Sequence, residues 1–181
     1  MRRVVTGERD GKAVFVEDSD VEATKTSLSA VTYHEVWRSD TPPTFPADGS
    51  NGSKSTFFPG ADGYRFFILT IPPGEGHGDS GSDSGSAASP VDIAEAIREM
   101  DEKLPGIRDW IETDNPGMHR TDTVDMEIVL SGEIVLELDD GVEKMLRAGD
   151  TNIQNGTRHR WHNRGSEPAV MACFLIGGAR K

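Results

Sequence analysis

The chain has 181 residues, enough for one domain with a sizeable core. Its formal charge is −12, from 31 acidic and 19 basic residues, so it repels phosphate backbones and anionic lipid and speaks against nucleic-acid and membrane partners. Its one cysteine, Cys173, excludes an intrachain disulfide and a Cys-rich zinc site.

Hydrophobic residues make up only 35% of the chain, with 20 glycines and 10 prolines, so solvated loops are expected around the core. No run approaches the roughly 20 apolar residues of a membrane span. The two arginines of "MRRVV" lack a following apolar segment, so no signal peptide is expected and the expected location is the cytoplasm.

The N-terminus reads as a flexible start followed by a short strand, "KAVFVED" (12–18). "TYHEVWR" (32–38) has partial alternation and predicts a second strand. "SDTPPTFPADGSNGSKS" (39–55) is punctuated by proline and glycine and predicts a long loop. "YRFFILTIPPG" (64–74) is aromatic and β-branched, and two prolines stop it, so it predicts a strong strand. Residues 74–90 are Gly/Ser-rich and acidic and predict a mobile loop, with His77 as a solvated side chain.

Residues 90–104 predict the single helix. Ser89 is placed to cap it, Pro90 suits its first turn, and Asp92 and Glu95 favour the positive end of its dipole. Ile93, Ala96, Ile97 and Met100 form one apolar stripe, expected to pack on the domain.

From 123 to 178 short β-type runs alternate with turn signals, including hairpin signals at Ser131-Gly132 and Asp139-Asp140-Gly141. Such spacing argues for an all-β sandwich or barrel; no βαβ unit, phosphate loop or internal repeat is evident. Cys173 falls in the apolar run "AVMACFLI" and reads as a core residue.

Side chains on a strand alternate faces. An extended 119–131 therefore puts His119, Thr121, Thr123, Asp125, Glu127 and Val129 on one face. In "TRHRWHNRG", His159, Trp161 and Asn163 share a face, while Arg160 and His162 point the other way. A barrel would bring the His119 and His159 faces into one cavity. There Asp125 can hold a histidine in one tautomer for proton transfer. Trp161, with Trp37 as a second candidate, would supply an aromatic wall, although core packing also explains either. Glu127 inside a barrel needs a partner such as Arg120 or Arg160, or else a place in water at the mouth.

The run from Gly117 to Gly165 resembles the cupins. Their first motif usually reads G-x5-H-x-H-x3,4-E-x6-G, and their second G-x5-P-x-G-x2-H-x3-N. His119 matches the first histidine, Thr121 stands where the second is usual, Asp125 replaces the glutamate, and Gly132 closes the motif. Gly149 opens the second motif, "QNG" replaces P-x-G one residue early, and His159 and Asn163 close it.

The resemblance implies an all-β, antiparallel jelly-roll (RmlC-like) β-barrel spanning 1–181 as a single domain, decorated by one helix and extended loops. It also implies a homodimer formed by sheet extension, to which the N-terminal segment would be suited. The metal set it implies is His119, Asp125 and His159, for a divalent Fe, Zn, Mn or Ni. Thr121 is a poor ligand, so a metal-free pocket stays open beside the metal reading. His34 and His162 are alternative histidines for which a surface or core place is expected.

The implied function is a cupin enzyme acting on a hydrophobic or aromatic metabolite. His119, Asp125 and His159 would be catalytic, and Thr121, Glu127, Trp161 and Trp37 would contact substrate. Oxygenation, isomerisation, dehydration and decarboxylation all remain open. The alternative is a small-molecule-binding or sensor cupin without catalysis.

Overall fold

The computed structural model describes residues 1–76 and 93–181. Most of the expected loop 74–90, with His77, and the helix-start residues Ser89, Pro90 and Asp92 lie outside the described residues.

Eleven strands and one α-helix are described: β1 (Arg2–Arg9), β2 (Lys12–Asp20), β3 (Thr24–Thr26), β4 (Ser29–Ser39), β5 (Tyr64–Ile71), α1 (Ile93–Lys103), β6 (Thr123–Ser131), β7 (Glu133–Glu137), β8 (Glu143–Arg147), β9 (Thr151–Asn155), β10 (Arg160–His162) and β11 (Ala169–Gly177). They form a six-stranded sheet in the order β3-β4-β5-β11-β6-β9, a three-stranded sheet β10-β7-β8 and a separate hairpin β1-β2. Every pairing is antiparallel. The architecture is the all-β jelly-roll type, although the sheets do not close into one continuous barrel. Among the described residues no helix is long and apolar enough to cross a membrane.

The core lies between the two larger sheets. Val31, Leu69, Ile71, Val129, Met171 and Cys173 contribute from the large sheet, and Ile134, Leu136 and Trp161 from the small one. β5 alternates buried and half-buried positions and β6 buried and exposed ones, the period of a strand with one face to the core.

The flexible start is replaced by an ordered strand, β1, paired along its whole length with β2. Its turn is Asp10-Gly11, both at positive φ, which is the dipeptide that two-residue hairpins favour. The expectation of a hairpin at Ser131-Gly132 is also corrected. β6 pairs with β9 and β11, while β7 pairs with β8 and β10, so this turn carries the chain from one sheet to the other. Gly132 is required there: it sits at φ 75°, and an added Cβ would lie 2.5 Å from the Pro168 carbonyl oxygen.

The helix stripe is shifted by one turn from its predicted start. Ile93 is exposed, whereas Ala96 and Leu104 are buried and Met100 packs against the core. Glu99 accepts from the Ser27 amide at 2.8 Å and from Lys103 at 2.6 Å, and Lys103 donates to the Lys25 carbonyl at 2.8 Å. These bonds hold α1 beside β3.

The long loop 39–57 is pinned by one buried cation. The Arg65 guanidinium donates to the carbonyls of Phe57 (3.1 Å), Ser39 (2.7 Å), Tyr64 (2.9 Å) and Thr56 (2.8 Å) and to the Asp40 carboxylate (2.6 Å). The Phe57 amide then donates to the Pro105 carbonyl at 2.7 Å, tying the loop to the segment after α1. Arg65→Met keeps the stem and strands these acceptors. It is expected to destabilise the fold by about 3 kcal/mol, seen as a melting temperature roughly 6–12 °C lower. A melting curve unchanged within error would show that the loop is held by other contacts.

Candidate functional site

Between the two sheets lies a cavity of about 880 Å³ including its open mouth. β6 supplies Asp125 and Glu127, β10 supplies Trp161, and β11 supplies Cys173 and Leu175. His119 and His159 precede β6 and β10. Tyr33, Phe57, Phe58 and Phe67 make an aromatic wall, and Met100, Leu104, Ile107 and Ile111 close the side beneath α1.

The face assignments for 119–131 and 159–163 agree with this placement. Thr123, Asp125, Glu127 and Val129 are all buried, and the residues between them are exposed. His119 and His159 meet through a backbone bridge: each amide donates to the other's carbonyl, at 3.0 and 2.9 Å. Their ring centroids lie 4.2 Å apart. Phe58 stacks on His119 at 6.2 Å, and Trp161 meets His159 edge-on at 6.2 Å.

Each imidazole is held by Nδ1. His119 Nδ1 lies 2.9 Å from the Gly117 carbonyl oxygen and His159 Nδ1 lies 3.0 Å from that of Thr157. A carbonyl only accepts, so Nδ1 carries the proton in each ring and Nε2 keeps its lone pair. Burial lowers both histidine pKa values and, with His119 beside it, takes His159 down to about 3. Both rings are therefore neutral at physiological pH.

The carboxyls shift the opposite way. Burial pushes Asp125 up to about 6 against a hydrogen bond from Thr123, and its Oδ1 is buried without a hydrogen-bond partner. Burial pushes Glu127 up to about 8, helped by the neighbouring Asp125 and opposed by Asn152, whose Nδ2 donates to Glu127 Oε2 at 2.7 Å. Among the described residues, neither Lys nor Arg lines the cavity. Glu127 is thus neither at a wet mouth nor paired with an arginine: Arg160 binds Glu137 instead, and a neutral amide is the partner of Glu127.

Two expected substrate contacts lie elsewhere. Thr121 is buried, but its hydroxyl bonds Thr123 at 2.7 Å and it is not part of the cavity wall. Trp37 follows a bulge in β4 that aligns it with outward-facing Phe66, and the Arg3 guanidinium sits 5.8 Å from its ring. The bulge breaks the alternation from which facing is read. His34 and His162 also lie outside the cavity wall; His162 Nε2 is 2.6 Å from Glu137 Oε2.

Sequence reasoning missed Asn152, Tyr33 and the Phe57-Phe58 pair. Asn152 had a signal: in "TNIQN" the polar side chains of Asn152 and Gln154 alternate with Ile153, and the register sets them opposite Glu127 and Asp125. The Phe pair lies beyond a loop whose return path local pattern does not encode.

The donor types at the cavity are those a divalent metal uses: two imidazoles oriented through Nδ1 and a carboxylate oxygen without a partner. Their ligand atoms do not all gather within 4.8 Å of one another in this arrangement. Among the described residues, the three ligand-type side chains whose ligand atoms fall within 4.8 Å of one another are Glu137, Glu143 and His162, outside this cavity. Those two carboxylates are already bound by Arg160 and Arg164.

Comparison with known proteins agrees with the fold. Residues 112–175 match the cupin domain family. Phomopsin biosynthesis cluster protein C' of Diaporthe leptostromiformis is 51% identical over 47 residues, which are 26% of this chain and 25% of that protein. Cupin-domain-containing oxidoreductase virC of Hypocrea virens is 39% identical over 62 residues, 33% of this chain and 32% of that protein. These matches span about a quarter to a third of the relatives' own length. The Schizosaccharomyces pombe Cnp3 cupin domain superposes with a TM-score of 0.51 at 7% identity, covering 98% of this chain and 88% of that one; it speaks to fold alone. Residues 112–175 thus carry a cupin domain, and the fold of the chain is cupin-like.

Proposed function

We propose that this cupin is a small-molecule enzyme that moves protons on a hydrophobic, aromatic or carbonyl-bearing metabolite held between the sheets. The observation that carries the reading is the buried quartet of His119, Asp125, Glu127 and His159 in an aromatic cavity that, among the described residues, has no lysine or arginine in its wall. Asp125 and Glu127 differ in environment, and such a split assigns acid and base roles. Above about pH 6 Asp125 is the proton acceptor, and up to about pH 8 Glu127 is a donor to a ligand oxygen. His159 offers Nε2 as an acceptor for a ligand hydroxyl, Phe58 stacks on the His119 ring, and Trp161 meets His159 edge-on.

The names of the relatives, a biosynthesis cluster protein and a cupin-domain-containing oxidoreductase, support a role in modifying a small metabolite. A cytoplasmic setting goes with this reading. Its test is the metabolite profile of the native host carrying His159→Ala in place of the wild type. A precursor should accumulate and a product vanish while the protein level is unchanged; an unchanged profile overturns the reading.

A metal-assisted version is the second reading, favoured by the partnerless Asp125 Oδ1 and by two imidazoles oriented through Nδ1. It would use His119, Asp125 and His159 to hold Fe, Zn, Mn or Ni, which would supply Lewis-acid or redox chemistry. Elemental analysis of untagged protein separates the two. Near-stoichiometric metal lost in both His119→Ala and His159→Ala supports the metal version; its absence supports proton transfer or, if no chemistry is found, a pure binding cupin.

A further inference from the structure

The inner face of the six-stranded sheet carries two acidic side chains in adjacent rows. Strand register sets Asn152, Glu127, Cys173 and Phe67 side by side in one row, and Gln154, Asp125, Leu175 and Arg65 in the next. Asp125 is 5% exposed, it lines the cavity, and its Oδ1 is buried with no hydrogen-bond partner among the described residues. The partner of Glu127 is a neutral amide, Asn152 Nδ2 at 2.7 Å.

A carboxylate taken out of water needs a donor and a positive charge close by. Among the described residues the cations near this face are engaged elsewhere. Arg65 shares the row of Asp125, but Leu175 stands between them, and its guanidinium binds Asp40 and the carbonyls of the loop. Lys54 lies 5.8 Å from the Phe57 ring centroid but pairs with Glu35, and neither it nor Arg65 is part of the cavity wall. The two imidazoles turn Nδ1 to backbone carbonyls. What the wall lacks, a bound molecule has to bring.

We propose that the ligand of this cavity is a hydrophobic amine, its ammonium head paired with Asp125 beside Glu127 and its apolar body laid along Phe67, Tyr33 and Phe57. This rests on the reading of the cavity as a metabolite site and names the class of metabolite. The ammonium supplies a hydrogen for Asp125 Oδ1 and the positive charge missing from the wall, and a bond with both partners ionised is of the stronger kind. The aromatic side takes the rest of the molecule. Phe67 lies 6.0 Å from Tyr33 and 5.6 Å from Phe57, centroid to centroid, and such rings attract both apolar carbon and the positive end of an amine. β6 and β5 are two strand spacings apart, about 10 Å, so a chain of about three carbons joins the head to a ring resting on Phe67. The same wall disfavours an acidic ligand, and the net charge of −12 draws cations toward the chain.

The test is isothermal titration calorimetry of the full chain at pH 7.5 with three probes of one body: hydrocinnamyl amine, hydrocinnamyl alcohol and hydrocinnamate. The protein is first dialysed against a chelator, so that the amine cannot bind as a metal ligand. The amine is expected to bind at least about tenfold tighter than the alcohol, the effect of one charge-assisted hydrogen bond, and the acid to give no binding heat. In Asp125→Asn the amine should lose that advantage while the alcohol binds as before, which shows the cavity intact. The wild-type comparison of amine with alcohol does not depend on how the variant folds. No binding of the amine, equal affinity for amine and alcohol, or an advantage that survives Asp125→Asn would each overturn the proposal. These titrations read binding alone, so their failure leaves proton transfer to be judged by the host metabolite profile, and an unchanged profile leaves a preference for amines standing.

Discussion

Glu127→Gln should raise the melting temperature at pH 8 by several degrees and leave it nearly unchanged at pH 4.5. The carboxyl is buried, its partner is the neutral Asn152, and burial lifts its pKa from 4.5 to about 8. A raised acid pKa means that the folded state holds the proton more tightly than the unfolded chain. Between pH 4.5 and 8 the unfolded chain has released that proton and the folded chain has kept it, so stability declines through this window. Below pH 4.5 both states are protonated and the group is neutral in effect. Every tenfold difference in proton affinity between the two states is worth about 1.4 kcal/mol. The full difference at pH 8 is therefore a few kcal/mol, and at about 2–4 °C per kcal/mol it is readable in a melting curve. Glutamine keeps an oxygen for the Asn152 amide and never ionises. Melting curves of the two proteins from pH 4 to 9 should therefore converge at the acid end and diverge with rising pH. Parallel curves would mean that Glu127 is hydrated or paired and that the buried-acid account of the cavity is wrong.

His159 works in the opposite direction. Its pKa is lowered from 6.5 to about 3, so the stability it contributes is present above pH 6.5 and is lost as pH falls toward 3. The wild-type protein is thus squeezed from both sides by one cavity. A buried acid and a buried base that both oppose their own ionisation are destabilising features, and a site of this kind is retained when it is used.

Where local alternation is strict, the sequence was readable. The face that Asp125 and Glu127 share with Val129, and the face that His159 shares with Trp161, follow from period two and are the faces that line the cavity or core. The motif spacing located the His119–His159 pair because the two residues bracket a hairpin whose length fixes their approach. Reading failed at Trp37, where a bulge resets the alternation, and at Ser131-Gly132, where the turn signal is genuine but serves a crossing between sheets. It failed again for the aromatic wall. Phe57 and Phe58 reach the cavity because Arg65, eight residues downstream of Phe57, gathers the loop's carbonyls, and a single buried arginine leaves no periodic trace. The exposed apolar face of β6 was present in the sequence as the even positions of "TVDMEIVLS". Hydrophobicity alone would turn that apolar face to the core, and only the strand order and burial turn it outward and the Asp125–Glu127 face inward.

Asp125→Asn should cut product formation by roughly 10²–10⁴-fold, the range expected for loss of a proton-transfer group, without lowering the melting temperature at pH 7.5. The two halves of that expectation separate a catalytic role from a structural one. Asp125 Oδ1 is buried without a hydrogen-bond partner, and burial already disfavours its charge. An isosteric amide that cannot ionise relieves that cost above pH 6, so a residue kept only for packing would leave both activity and stability intact on substitution. The pH profile gives the sharper readout. With the wild type, activity should rise through about pH 6 as Asp125 ionises and fall above about pH 8 as Glu127 loses its proton, the two limbs belonging to the coupled pair. Asp125→Asn should remove what remains of the acid limb, and Glu127→Gln the alkaline limb. Full activity in Asp125→Asn, with both limbs retained in either variant, would take proton transfer away from these carboxyls and leave the cavity as a binding site whose chemistry, if any, is supplied by what binds there.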